Sequence, residues 1–331
     1  MTFVAGLLRN KPPSAGAFGV KGAYEVKEVV KFDEEVIFGG VLVGLFGHFI
    51  LESLGRMWYV LQNRQDKRKI VFLTVGEQQW FYSFLDLLDI ERERIVILKQ
   101  PTKYKKIVIP DESIHSWYNY TKEYILPYDY IASKVKRSKI KKLYLTRSKI
   151  KLKESEAGKY ICNEEYFEKF YQSKRFTVIS PEQFSIEEQI SMLVGASEVA
   201  STLGSLSHLA LFCRPGTKFT MLTRVDDDTL YPQCLINEAK DIDCVIVDAS
   251  MNFLPLQHRG GGVSLLGETK FWRQYVKEKY IEDITTETWK DKLEDYVKNW
   301  CYYFSIDSAA PLVTSTVFRT YELIKRNEID I

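Results

Sequence analysis

Short apolar, β-branched runs alternate with stretches of helical periodicity along most of this chain, and that alternation restricts the fold more than any other feature. VIFGGVLV at 36–43 reads as a buried strand. A helix follows over roughly 46–63, where Ile50, Leu54, Met57, Trp58 and Leu61 recur at helical spacing. KIVFLTV at 69–75 is a strand, GEQQWFYSFLDLLDI a helix, and RIVIL (94–98) and KKIVIP (105–110) are two more strands. This repetition predicts a parallel sheet with crossover helices.

A second alternation begins further on. KKLYLTR (141–147) is a strand, NEEYFEKFYQSK (163–174) a helix and FTVIS (176–180) a strand. Ser185 with Glu188 three residues later forms a capping box that opens the helix IEEQISMLV, and Gly195 is expected as its C-cap. EVAST is the next strand, followed by Leu203-Gly204-Ser205, a helix LSHLALF, the turn Pro215-Gly216, and the strands KFTMLT and DCVIVDA (243–249). The progression β-α-β-α-β-α-β-β predicts a second Rossmann-like domain. His258-Arg259-Gly260-Gly261-Gly262 reads as a loop, and the tail from 270 to 331 as two or three amphipathic helices.

The basic segment SKVKRSKIKK (133–142) is either a solvated helix end or a domain linker. A boundary within it gives domains of 1–136 and 137–267, with a helical tail over 268–331 that could pack back on the first. The total of 331 residues suits two such domains. With 46 basic and 44 acidic residues the net charge is only +2, which provides no electrostatic ground for a nucleic-acid partner. The five cysteines, Cys162, Cys213, Cys234, Cys244 and Cys301, show no C-x-x-C spacing; neither a disulfide framework nor a zinc knuckle is expected. The N-terminal segment is a poor signal peptide, and no run approaches the length of a membrane span. A cytoplasmic location is expected, and peripheral association with the inner face of the membrane is compatible with it.

Three segments carry chemistry. His48, Glu52 and Arg56 fall at i, i+4 and i+8 on the first helix, opposite its apolar stripe, behind the Gly39-Gly40 pair that lets a partner approach closely. A solvated helix face would show the same spacing. Arg147 and Lys149 leave the C-terminal end of the strand YLTR, the edge where open α/β sheets bind ligands; a surface basic pair is the plainer reading. Gly204, Ser205 and His208 lie between a strand and a helix, where free N–H groups and a helix dipole suit a pyrophosphate. This turn is neither a Walker A loop nor a G-x-G-x-x-G fingerprint. Metal signals are poor: Asp241-Ile242-Asp243 fits a strand start better than a cation site, Asp226-Asp227-Asp228 reads as an acidic loop, and the four histidines are not paired at ligand spacing.

Together these blocks resemble glycosyltransferase family 61. GGVLVGLFGHFILESLGRMW resembles the family's "GHF-LLE-L-RLW" block, and YLTRSK its "Y-SR-K" strand end. SPEQFSIEEQISMLVGASEVASTLGSLSHLALFCRPGTKFTML resembles its long C-terminal block, in which "P-E-LS--EQ" leads to a Gly/Ser turn, a short helix and a "PGT-V-E" strand. Order and spacing fit over about residues 36–224. The chain departs from the eukaryotic G-x-H-G-A-x-L-T-N turn and resembles the bacterial branch of capsule and surface-polysaccharide proteins. In place of the acidic residue of "PGT-V-E" it reads KFTMLTR.

The resemblance implies a GT-B-like architecture: two Rossmann-like domains facing across a cleft, the first on the acceptor side and the second binding the nucleotide sugar. It implies an inverting, metal-independent transferase with no cofactor, using a nucleotide-sugar donor (a UDP-sugar) and an oligosaccharide or polysaccharide acceptor that could be lipid-linked. In that reading His48 or Glu52 is the base, with Glu52 otherwise orienting the imidazole. Arg147, Lys149, Gly204, Ser205 and His208 hold the donor phosphates, and Arg56 and Gly40 face acceptor or phosphate. Two alternatives stand beside it: a non-catalytic sugar-phosphate-binding subunit of a polysaccharide assembly complex, and a polyol-phosphate transferase of similar architecture.

Overall fold

The structure is a computed structural model that describes residues 2–3, 28–115, 119–150, 160–224, 230–254, 262–307 and 311–326. Asp226-Asp227-Asp228 and residues 258–261 of the expected glycine loop lie outside the described residues. The fold is mixed α/β, built on parallel sheets, and compatible with a Rossmann-like glycosyltransferase. The chain divides into two compact units, Met1–Lys134 and Val135–Ile331, and the division falls inside the basic segment 133–142.

In the first unit a five-stranded sheet runs β1-β5-β2-β3-β4, from β1 (Thr2–Phe3), β2 (Val30–Val43), β3 (Lys69–Val75), β4 (Ile95–Ile97) and β5 (Thr102–Val108). All neighbours are parallel except β1 on β5. The four parallel strands thus follow the order 3-2-1-4 of a Rossmann half, and the order turns at β2. β2 starts six residues before the expected VIFGGVLV run, because its exposed N-terminal half pairs with β5. Helix α3 (Gln79–Leu87) follows β3 and buries Phe81, Phe84 and Leu85. A two-stranded ribbon of β6 (Ile114–His115) and β7 (Asn119–Tyr120) precedes helix α4 (Leu126–Lys134).

The expected helix over 46–63 is helical throughout but not uniformly α. It runs as α1 (Phe46–His48), a π turn at Phe49–Ser53, a 3₁₀ turn at Leu54–Met57, and α2 (Trp58–Gln62). Hydroxyls from distant residues explain the distortion. Tyr128 donates to the Ile50 carbonyl, Tyr124 to Leu51 at 3.1 Å and Ser113 to Gly55 at 3.0 Å, so these carbonyls have partners outside the helical ladder. Nor is the apolar face a simple stripe. Phe49, Leu51 and Val60 are buried along with Ile50, Leu54 and Met57, while His48, Glu52 and Arg56 stay half-buried.

In the second unit the sheet runs β10-β8-β11-β12-β13, wholly parallel. Its strands are β8 (Lys142–Leu145), β10 (Thr177–Ile179), β11 (Glu198–Thr202), β12 (Lys218–Thr223) and β13 (Asp243–Asp248). The order along the chain is 2-1-3-4-5, the flavodoxin-like doubly wound pattern, with its switch point between β8 and β11. A separate pair joins β9 (Ile161–Cys162) to β14 (Ser264–Leu265). Helix α5 (Glu164–Ser173) connects β9 to β10. Helix α6 (Ile186–Gly195) carries the expected Ser185–Glu188 capping box.

Two expectations fail here. Gly195 is not a left-handed C-cap: it ends α6, and Ala196 takes the cap position at φ −73°. A β-carbon on Gly195 would lie 2.4 Å from the Ser138 carbonyl oxygen, so the glycine serves a close backbone approach. The strands KFTMLT and DCVIVDA are not consecutive, since helix α7 (Leu230–Ala239) crosses between them. Pro232 masks it in the sequence, yet in the first turn its missing N–H costs the helix no bond.

Among the described residues the tail forms three α-helices, α8 (Lys270–Tyr280), α9 (Leu293–Asp307) and α10 (Pro311–Arg326). Trp272 and Val276 of α8 enter the core formed by Tyr144, Phe167 and Tyr171. Tyr296, Val297 and Trp300 of α9 pack on Cys162, Val263 and Leu265.

Candidate active site

In the first unit only Gly44 and Leu45 separate the end of β2 from the distorted helical segment, so His48 stands at the C-terminal edge of the sheet. His48 Nδ1 lies 2.9 Å from Glu52 Oε1, and the side chains are 29% and 26% exposed. The i, i+4 pairing expected from spacing is therefore formed, partly shielded from water. Ser53 fixes the segment to β2 by donating to the Val41 carbonyl at 2.6 Å. Phe49 stacks on Phe81 at 5.0 Å and meets Trp80 edge-on at 4.8 Å, which anchors the turn that carries both residues.

Arg56 has a partner from a distant part of the unit. Its guanidinium bonds to Glu112, beyond β5, and lies 6.0 Å from the Phe38 ring. Gly40 explains its path. This residue has φ +96° at a bulge in β2, and a β-carbon on it would lie 2.4 Å from Arg56 Cδ. A β-carbon on Gly39 would meet Phe72 at 2.3 Å. The glycine pair thus makes room for the protein's own side chains, where sequence alone suggested the approach of an outside partner.

In the second unit, Arg147 leaves β8 and Gly204 leaves β11, so the switch point brings these two expected residues together. A β-carbon on Gly204, which has φ +133°, would lie 3.5 Å from Arg147 Nη1. Ser205 is half-buried on the same turn, and Ser207 Oγ donates to the Gly204 carbonyl at 2.8 Å. His208 is only 9% exposed, within a 3₁₀ turn Ser207–Phe212 whose residues are all buried. That turn corrects the expected helix LSHLALF. The helix that follows Gly204-Ser205 is thus six residues of 3₁₀ geometry. Lys149 is exposed on a tight turn closed by Ile150 N–H to the Arg147 carbonyl at 3.0 Å.

The sequence model described as Glycosyltransferase 61 matches residues 46–220, more than half of the chain. The protein belongs to glycosyltransferase family 61. The matched span holds His48, Glu52, Arg56, Arg147, Lys149, Gly204, Ser205 and His208, while Gly40 lies outside it. No curated protein matches the chain. As a family 61 glycosyltransferase the protein is an enzyme with a sugar donor and an acceptor.

Several residues of this glycosyltransferase's candidate site escaped sequence reasoning. Glu112, the partner of Arg56, is 56 residues away and gives no local signal. Arg224 follows β12, and the strand-end rule that singled out Arg147 would have found it. Glu164 and Glu168 sit one turn apart on α5. Glu164 accepts from the Arg147 backbone N–H at 3.1 Å, and Glu168 accepts from the Thr146 hydroxyl. Asp241-Ile242-Asp243 lies at the opposite, N-terminal end of β13. There Asp241, at φ +50°, forms a turn, and Asp243 N–H donates to the Thr217 carbonyl at 3.1 Å. Among the described residues no three His, Cys, Asp or Glu side chains group as metal ligands.

Burial pushes the Glu164 carboxyl up to about 7; nearby Glu168 acts in the same direction, and the Arg147 N–H and charge oppose it. Between the ordinary 4.5 and about 7 the folded protein keeps a proton that the unfolded chain has released, so stability falls as pH rises through this window. Glu164→Gln removes that dependence. Its melting temperature should gain on wild type between pH 4.5 and 7.5, by an amount equivalent to on the order of 3 kcal/mol at most. Parallel melting curves for the two proteins would contradict the assignment.

Proposed function

We propose that this family 61 enzyme is an inverting, metal-independent transferase of GT-B type that moves a sugar from a UDP-sugar to a growing bacterial surface polysaccharide. The observation that carries the reading is the His48–Glu52 pair at the C-terminal edge of the first sheet. An inverting transfer needs a base for the acceptor hydroxyl and positive charge for the departing diphosphate. With Nδ1 engaged by Glu52, the base is His48 Nε2, and the carboxylate fixes the ring and supports the imidazolium that forms. Glu52 is therefore a positioning residue. In the second unit Arg147 stands over Gly204 and takes the diphosphate. No cofactor takes part, and the donor charge is met by arginine. Among the described residues no helix is long and apolar enough to cross a membrane, and the proposed place of action is the cytoplasm or the inner membrane face.

The test is a panel of nucleotide sugars incubated with the enzyme and a glycan acceptor, with free nucleoside diphosphate and product anomeric configuration as readouts. The expected result is UDP release with inversion, unchanged by EDTA. Loss of turnover on chelation, restored by magnesium or manganese, would overturn the metal-free part and bring the acidic residues back into consideration. Retained configuration would exclude the base assignment.

A further inference from the structure

Three adjacent strands of the second sheet end around one point. Arg147 follows β8, Gly204 follows β11 and Arg224 follows β12, and the sheet order is β8-β11-β12. A β-carbon on Gly204 would lie 3.5 Å from Arg147 Nη1 and 3.8 Å from Arg224 Nη2. Two guanidinium groups from different strands thus flank the bare face of one glycine. A side chain there would occupy the space between them, and at φ +133° it would also be strained.

Arg224 is built into place. Its Nε donates to the Leu203 carbonyl at 3.0 Å and its Nη1 to Ser264 Oγ at 3.3 Å. Its own carbonyl accepts from Asn252 Nδ2 at 2.8 Å, and Asn252 Oδ1 in turn accepts from Leu265 N–H at 2.7 Å. The residue is only 9% exposed. Held in this way, Nη2 is directed at the Gly204 turn without the entropy loss that ordering a surface arginine would cost. On the other side the Arg147 backbone N–H donates to Glu164 at 3.1 Å, which holds the main chain from which that guanidinium extends.

We infer that Arg224 is a second diphosphate-holding residue of this enzyme, acting with Arg147 across Gly204 on the leaving diphosphate of the donor. This rests on the reading that the second unit holds a nucleotide-linked sugar. A diphosphate presents oxygens to both sides, and two guanidinium forks can each make charge-assisted bonds to it. Because the Arg224 guanidinium is held before the sugar leaves, its charge stabilises the developing diphosphate with little reorganisation.

The test is calorimetry with UDP and, separately, inorganic pyrophosphate on wild type, Arg147→Ala and Arg224→Ala, with uridine as a phosphate-free control. Each variant is expected to lose about tenfold to a hundredfold in affinity for UDP and pyrophosphate, and to leave uridine binding within about threefold. Where Arg224→Ala does not fold, Arg224→Lys keeps the charge and loses the fork, with an expected loss of about threefold to tenfold. Wild-type affinity in the folded Arg224 variant, beside a loss in Arg147→Ala, overturns the role of Arg224 and leaves the donor reading standing. Failure of wild type to bind either UDP or pyrophosphate overturns the donor reading, and the inference with it.

Discussion

Replacing His48 with alanine, or Glu52 with glutamine, should lower kcat by about 10²–10⁴ with little change in donor affinity. The ring and carboxylate are 2.9 Å apart on a segment whose neighbours Phe49, Ile50 and Leu51 are buried. The turn that carries them is further clamped by the Tyr124 and Tyr128 hydroxyls. Removing the imidazole removes the base. Replacing the carboxylate leaves the base present but neither oriented nor electrostatically supported, so Glu52→Gln is expected to be the milder variant. A purely structural pair would behave differently: melting temperature would fall, and the folded fraction would turn over at the wild-type rate. Melting temperature and kcat measured on one preparation separate the two cases.

Trp272→Ala should destabilise the second unit by about 3–5 kcal/mol. Trp272 is fully buried, with its ring centroid 4.9 Å from those of both Phe167 and Phe170 and its Nε1 donating to the Tyr166 hydroxyl at 3.2 Å. Thr269 caps α8 by accepting from the Trp272 N–H at 3.1 Å, and the Thr220 and Tyr275 hydroxyls join the helix to β12 at 2.8 Å. Truncation would leave a void among large aromatic rings that cannot close around it. For a unit of this size each kcal/mol corresponds to roughly 2–4 °C, so thermal denaturation should show a drop on the order of 10 °C. A change of a degree or two would mean that α8 is an appendage to this core. Trp272→Phe, which keeps most of the ring volume, should recover much of the loss.

Much of this molecule was legible because strands and helix caps are local. The strand KIVFLTV lies at β3 residue for residue, and Ser185 with Glu188 closes its capping box as spacing requires. The His48–Glu52 contact was legible for the same reason, since residues four apart on a helical segment meet whatever surrounds them. The strand-end rule brought out Arg147 and Gly204 before their convergence was visible, because chain direction and parallel order together decide which loops share an edge. Helix α7 was missed because Pro232 reads as a breaker where only its position in the first turn makes it harmless.

What the sequence by itself determined was the alternation of strands and helices, the capping of α6, the i, i+4 pair and the family to which the chain belongs. Tertiary structure alone decided the π and 3₁₀ geometry that holds that pair, through hydroxyls 73 and 78 residues away. It also decided that Arg56 belongs to Glu112, that Gly40 makes room for Arg56, and that Arg224 and Arg147 both approach Gly204. The physical reason is range. Periodicity and capping act within a few residues, whereas the neighbours of a carbonyl, a guanidinium or a bare glycine face are set by which strands pair, and pairing is a property of the whole sheet.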